Sequence, residues 1–158
     1  MSRLNERLTL VANVSVVVSI VFLAIQMREN TRAIQGQTRD SITEKQMDYL
    51  GWRATSPDLA AAILKSSEGF GALTPLEQTL YSGYAAAQIR EWENSHYQYT
   101  RGLFSTDDYL ARTSHCRREL ANPAMRRAMW PSLRPRVALG FREAIDSIVA
   151  QIDSEGRP

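Results

Sequence analysis

The apolar positions of this chain form one long run followed by several short periodic stripes. Leu8 to Met27 reads LTLVANVSVVVSIVFLAIQM, twenty positions without a charge. At 1.5 Å of rise per residue such a run spans about 30 Å as a helix, the thickness of a bilayer's hydrocarbon core. Its valine and isoleucine content would favour a strand in water. In lipid every backbone N–H and C=O must bond within the segment, so the helix is favoured. Arg3 and Arg7 precede the run, and Gln26 and Arg28 mark its end. Cleavage after Ala24 would place Phe22 where a signal peptide needs a small residue, so the run reads as an uncleaved anchor rather than a leader or a buried soluble helix.

Turn and cap signals divide the remainder. Residues Glu29 to Trp52 contain no proline, so the membrane helix is expected to continue, with Ile34, Ile42 and Leu50 on one apolar face. Ser56-Pro57-Asp58 supplies an N-cap, a first-turn proline and a first-turn acid for a short helix ending near Gly69. Thr74-Pro75-Leu76-Glu77 is a capping box that opens a helix to about Tyr99, stopped by Gly102. Ser105 starts another, with Asp107 and Asp108 in its first turn. Asn122-Pro123 caps a brief helix that Pro131 and Pro135 should break. Val137, Phe141, Ile145, Ile148 and Ile152 then mark the apolar stripe of a last helix. No stretch alternates with period two for long enough to make a strand. The expected fold is all-α: an N-terminal transmembrane anchor (1–28), a helix continuing from it (29–54), a compact cytoplasmic helical bundle (55–153) and a flexible tail (154–158).

Composition narrows the class without naming an activity. With 158 residues, 44% hydrophobic and 23% charged, the chain is neither disordered nor fibrous. A single cysteine, Cys116, excludes a disulfide framework and a multi-cysteine zinc site within one copy, and fits a reducing compartment.

Charge is unevenly placed behind a net of +2. Arg28, Arg32, Arg39 and Lys45 follow the span, against Arg3 and Arg7 before it, so the positive-inside rule predicts an inner-membrane protein with its N-terminus outside and its body in the cytoplasm. Residues 41–100 carry four basic and seven acidic side chains; residues 101–142 carry nine and three, and all nine are arginines. Of these, Arg112, Arg117, Arg118, Arg126, Arg127, Arg134 and Arg136 are the candidates for a basic surface facing anionic lipid or an acidic partner. Pairing with the acidic second block is the competing reading. No nucleic-acid motif occurs and the last block is acidic, so no nucleic acid is expected.

Inside the span, Asn13, Ser15 and Ser19 are candidates for lateral association, because Ser15 and Ser19 form a small-xxx-small pair and an amide in lipid seeks a partner. The opposing reading is that the serines bond their own backbone. Glu93-x-x-His96 has the spacing of a di-iron bundle ligand pair, since residues three apart share a helix face. A second copy of the motif is lacking, and His96 falls on a stripe with Tyr81, Ala85, Gln88, Trp92 and Tyr99, so a packed aromatic face is preferred and no cofactor is expected. His115 and Cys116 are adjacent, but neighbours on a helix diverge by about 100°. Cys116 is therefore expected in the core and His115 in solvent, with Asp108, Arg112 and Glu119. Trp92, Tyr97, Tyr99, Phe104 and Tyr109 should anchor the meeting of two helices.

Phe22 to Ile34, FLAIQMRENTRAI, resembles the membrane-exit signature of a group of uncharacterised single-span bacterial membrane proteins, with its Leu-Ala-x-Gln-x-Arg-x-Asn-Thr run. Glu93-Asn94, Tyr97-Gln98-Tyr99 and Gly102-Leu103 resemble a second block of that group, and Asn122-Pro123 with Arg126 and Trp130 a third. The group is a domain of unknown function, so the resemblance implies a single span and no activity. The sequence as a whole points to a membrane-anchored helical interaction or accessory module. Its expected partners are the bilayer and either another membrane protein or a second copy. The alternative is a ligand- or metal-binding bundle with a site near Glu93 and His96.

Overall fold

The computed structural model describes residues 2–156, and among these no strand occurs. Six α-helices follow one another: α1 (Ser2–Thr55), α2 (Pro57–Lys65), α3 (Pro75–Thr100), α4 (Thr106–Leu120), α5 (Trp130–Leu133) and α6 (Leu139–Ser154). The chain divides into two compact units, residues 1–37 and 38–158, so that α1 contributes to both.

The first unit is the apolar part of α1. It is long and apolar enough to cross a membrane, and none of that stretch is buried within the chain. A core helix of this bundle would bury such side chains; Val14, Val17 and Val21 are each more than half exposed.

The second unit is a helical bundle whose starts and stops follow the cap chemistry. Ser56 accepts from the Leu59 N–H to open α2, which ends in a 3-10 turn at Gly69, φ +108°. Thr74 and Glu77 form the reciprocal capping box of α3: the Thr74 Oγ1 accepts from the Glu77 N–H, and Glu77 accepts from the Thr74 N–H. α3 closes in a Schellman motif, with Leu103 N–H on the Gln98 carbonyl, Gly102 N–H on that of Tyr99, and φ of +71° at Gly102. Ser105 caps α4.

Two expectations are corrected. The last third of α1 does not present Ile34 and Leu50 inward; these are 38% and 45% exposed, and the buried residues there are Ile42 and Tyr49. A spacing of eight residues turns 80° at each step, so Ile34, Ile42 and Leu50 cannot share one face, whereas Ile42, Gln46, Tyr49 and Arg53 do. Nor does Pro131 break its helix. Residues Met125–Met129 adopt a π turn, with Trp130 N–H reaching back to the Met125 carbonyl, and the helix continues through Pro131 to Leu133. The widened turn relieves the clash between the proline ring and the preceding carbonyls. Of the expected tail, Ser154 ends α6, Glu155 is bonded to Arg117, and Arg157 and Pro158 lie outside the described residues.

The main core gathers Tyr81, Ile89 and Trp92 of α3, Cys116 and Leu120 of α4, Met125, Met129 and Trp130, and Phe141, Ile145 and Ile152 of α6. A smaller cluster joins Tyr49, Leu59 and Tyr84. The sequence stripe of α6 is thus realised, with Ile148 at its half-buried edge.

Candidate functional sites in the bundle

The arginine-rich block is mostly consumed internally. Arg112 and Arg126 are 7% and 2% exposed, so neither belongs to a basic surface. Arg112 pairs with Glu91 and donates to the Tyr49 hydroxyl at 2.8 Å. Arg126 donates to the carbonyls of Leu120 and Ala121 and pairs with Asp153 at 3.1 Å. Arg117 pairs with Glu155, and Arg134 holds Asp146 through a two-pronged contact at 2.6 to 3.0 Å. Arg118 donates to Nδ1 of His115 at 2.6 Å. Only one of these carboxylates lies in the acidic second block; the other three come from the last sixteen residues, which the sequence alone could not assign. Arg127 and Arg136 are exposed, and among the described residues neither forms an ion pair.

In the span, Ser15 Oγ donates to the Val11 carbonyl at 2.8 Å and Ser19 Oγ to that of Ser15 at 2.7 Å. Their hydroxyls are satisfied within α1, so any lateral contact they make is packing of small side chains. Asn13 is exposed on the same helix.

Glu93 and His96 stand beside each other but face different tasks. One Glu93 oxygen accepts from Arg90 at 2.7 Å and the other from the Ala138 N–H at 2.7 Å. The carboxylate therefore serves the N-terminus of α6, which has no side-chain cap of its own. His96 Nδ1 lies 2.7 Å from the Tyr109 hydroxyl, with its ring against Tyr109 and Phe141. Burial lowers its pKa, which favours the neutral ring. Among the described residues no group of three or more His, Cys, Asp or Glu side chains is placed to hold a metal. The two residues do line an open pocket of about 480 Å³ with Arg90, Tyr97, Gly140 and Phe141.

The predicted aromatic cluster assembles in part. Tyr99 and Tyr109 stack at 4.0 Å, joining the end of α3 to the start of α4. Trp92 and Phe104 are buried, whereas Tyr97 is exposed beneath the Arg101 guanidinium.

Cys116 is in the core as expected, and burial pushes its thiol up to about 12, far from the thiolate that nucleophilic chemistry needs. His115 is a correction. It is half-buried, edge-on to Trp92 at 6.4 Å, rather than in solvent. The reason is the neighbouring ion pair: Arg112 turns inward to meet Glu91, and the residue one turn on follows it.

Burial, then the guanidiniums of Arg112, Arg118 and Arg53, lower the His115 pKa from 6.5 to about 4. A depressed folded-state pKa means that protonation favours unfolding. The contribution of His115 to stability is complete above pH 6.5 and disappears as pH falls toward 4. We therefore expect the unfolding temperature to decline across that window and the decline to flatten in His115→Gln. A residual slope should remain, because His96 shifts with the same sign. An unchanged slope in the variant would show that other groups set it.

A polar network that the sequence did not reveal runs through the interior. Glu91 accepts from Ser95 Oγ at 2.8 Å while engaging Arg112, and Gln88 donates to the Tyr84 hydroxyl at 2.9 Å. Tyr84 and Tyr49 meet edge to face at 6.2 Å. Three helices, α1, α3 and α4, thus share one buried set of charges and hydroxyls. The polar residues at 46, 49, 53, 84, 88, 91, 95 and 112 carry helical spacing, but spacing alone does not say that they face inward.

Comparison with family models, with curated proteins and with solved structures gives no match.

Proposed function

We propose that this chain is a membrane-anchored helical interaction or accessory module, with its bundle on the cytoplasmic side. The observation that carries the reading is the apolar half of α1, exposed along its length and of membrane-spanning size. The cationic cluster Arg28, Arg32, Arg39 and Lys45 supports the cytoplasmic placement. Tethering confines the bundle to two dimensions and raises its effective concentration near membrane partners. Asn13 and the small Ser15–Ser19 pair are the lateral contacts with a second copy or another membrane protein. Any contact with anionic lipid falls to the exposed Arg127 and Arg136 rather than to the whole arginine block. The resemblance to uncharacterised single-span bacterial proteins agrees with this and adds no activity.

The test is topology and company. The chain should resist alkaline extraction from membranes, and a protease added to the cytoplasmic face should remove the bundle. Purification from native membranes in mild detergent should bring down a stoichiometric membrane partner or a second copy. A chain released by alkali, or one that purifies as a lone monomer, contradicts the reading.

A second reading, a ligand- or metal-binding bundle, is favoured by the pocket that Glu93 and His96 line. Elemental analysis finding stoichiometric iron, manganese or zinc would support its metal form.

A further inference from the structure

The open pocket of about 480 Å³ between the C-terminal half of α3 and the first turn of α6 contains a histidine nitrogen with no internal task. Nδ1 of His96 meets the Tyr109 hydroxyl at 2.7 Å, the usual length of a hydroxyl-donated bond. A phenol is the stronger donor of the two groups and an imidazole nitrogen the stronger acceptor, so the hydroxyl donates to Nδ1. Burial keeps the ring neutral near pH 7, and its one hydrogen is then on Nε2. Among the described residues Nε2 has no hydrogen-bond partner, yet unlike Nε2 of His115 it is not sealed from solvent. It lies beside Gly140, where a Cβ would stand 3.8 Å away, and both residues line the pocket. The glycine leaves this N–H uncovered.

The rest of the lining defines what suits that donor. Glu93 uses one oxygen on Arg90 and the other on the Ala138 N–H, so charge at the pocket is matched. An Nε2 that carries a hydrogen has no lone pair for a metal. Asn94 is half-buried at the pocket and forms no hydrogen bond among the described residues; its carboxamide offers both a donor and an acceptor. Tyr97, 52% exposed, and Phe141 supply aromatic walls. Concave sites of this size with apolar walls and a few placed polar groups take small organic molecules. Here the match is a flat, uncharged ring with a carbonyl oxygen for the His96 N–H and an amide-type edge for Asn94.

We propose that this pocket binds an uncharged aromatic lactam, its carbonyl accepting from Nε2 of His96 and its amide edge pairing with the Asn94 carboxamide. This rests on the ligand form of the second reading above and does not involve the anchor. The chain has two histidines, His96 and His115, so isotope-labelled histidine gives two sets of ring signals, which His115→Gln assigns. Full-length labelled protein in maltoside detergent is titrated with 2-quinolinone, and in parallel with quinoline-2-carboxylate and with zinc chloride.

The expected result is a saturable displacement of the His96 ring signals by quinolinone while those of His115 stay in place. Gly140→Leu, at an exposed position of α6, covers Nε2 and should weaken binding roughly tenfold or more. Asn94→Ala removes no internal hydrogen bond and should weaken it about fivefold, the scale of one neutral hydrogen bond. Unfolding temperatures close to the parent's show that the variants are folded; if Gly140→Leu is not, Asn94→Ala decides. Unchanged affinity in the folded variants, or no saturable displacement by quinolinone, overturns the proposal. In the latter case, displacement of His96 by the carboxylate or by zinc keeps the pocket as a site for another class. Silence with all three probes removes the ligand reading as well.

Discussion

Glu91→Ala is expected to lower the unfolding temperature by about 10–20 °C, the largest loss from any single side chain of the bundle's polar network. Glu91 and Arg112 are 5% and 7% exposed, so the pair has little water to fall back on. Removing the carboxylate leaves a buried guanidinium with only the Tyr49 hydroxyl and no counter-charge. Breaking a buried pair in this way costs about 3–5 kcal/mol, mostly the penalty of the stranded charge. Arg117→Ala, which breaks a partly exposed pair with Glu155, should cost about 1 kcal/mol or less. The double variant Glu91→Leu/Arg112→Met removes both charges and should recover much of the loss, because apolar groups of similar size suit the same space. Thermal unfolding of the four proteins in one detergent decides the matter. Equal losses in Glu91→Ala and Arg117→Ala would mean that the buried network does not hold the bundle.

The second large effect concerns the anchor. Val14→Arg/Val17→Arg should move the chain from the membrane fraction to the soluble fraction or to degradation. Each arginine near the middle of a span costs about 3 kcal/mol on insertion scales, and two on adjacent turns cannot both reach the same interface. Both valines are more than half exposed, so the bundle unit loses no packing and should keep its own unfolding transition. Membrane fractionation beside circular dichroism of the released protein separates failed insertion from misfolding. Unchanged membrane retention would assign anchoring to something other than the apolar half of α1.

Much of this fold was legible because its signals are local. Capping by Ser56, Thr74, Ser105 and Asn122 needs only three or four neighbouring residues, and the structure shows each of these contacts. The stripe of α6 is equally local. What escaped was long-range. The Glu91–Arg112 pair joins residues on different helices, and nothing in either helix marks these two among the charged side chains around them. The fate of Arg126 is similar: its aliphatic stem and guanidinium are enclosed by carbonyls at the end of α4 and by Asp153 of α6. Block charges predicted a basic surface; the fold instead brought the acidic end of the chain to the arginines. His115 was misplaced for a related reason: it lies three residues on from Arg112 on one helix face, and that face turns inward because Arg112 meets Glu91 on another helix. The Glu93 contact with Ala138 shows the converse, a residue whose spacing suggested a metal ligand and whose role is to cap another helix.

The π turn at Met125–Met129 also fixes how long the chain must be between its caps. A π turn accommodates one residue more than a uniform α-helix of the same rise, and that extra residue sets the angle at which everything after it leaves the axis. Trp130 is aimed by it, Nε1 donating to Asp146 at 3.0 Å and the ring meeting Phe141 edge to face at 6.1 Å. Shortening residues 125–129 by one would tidy the helix locally while swinging Trp130 about 100° away from both partners. In this stretch the count of residues, and not only their identity, is part of what specifies the core.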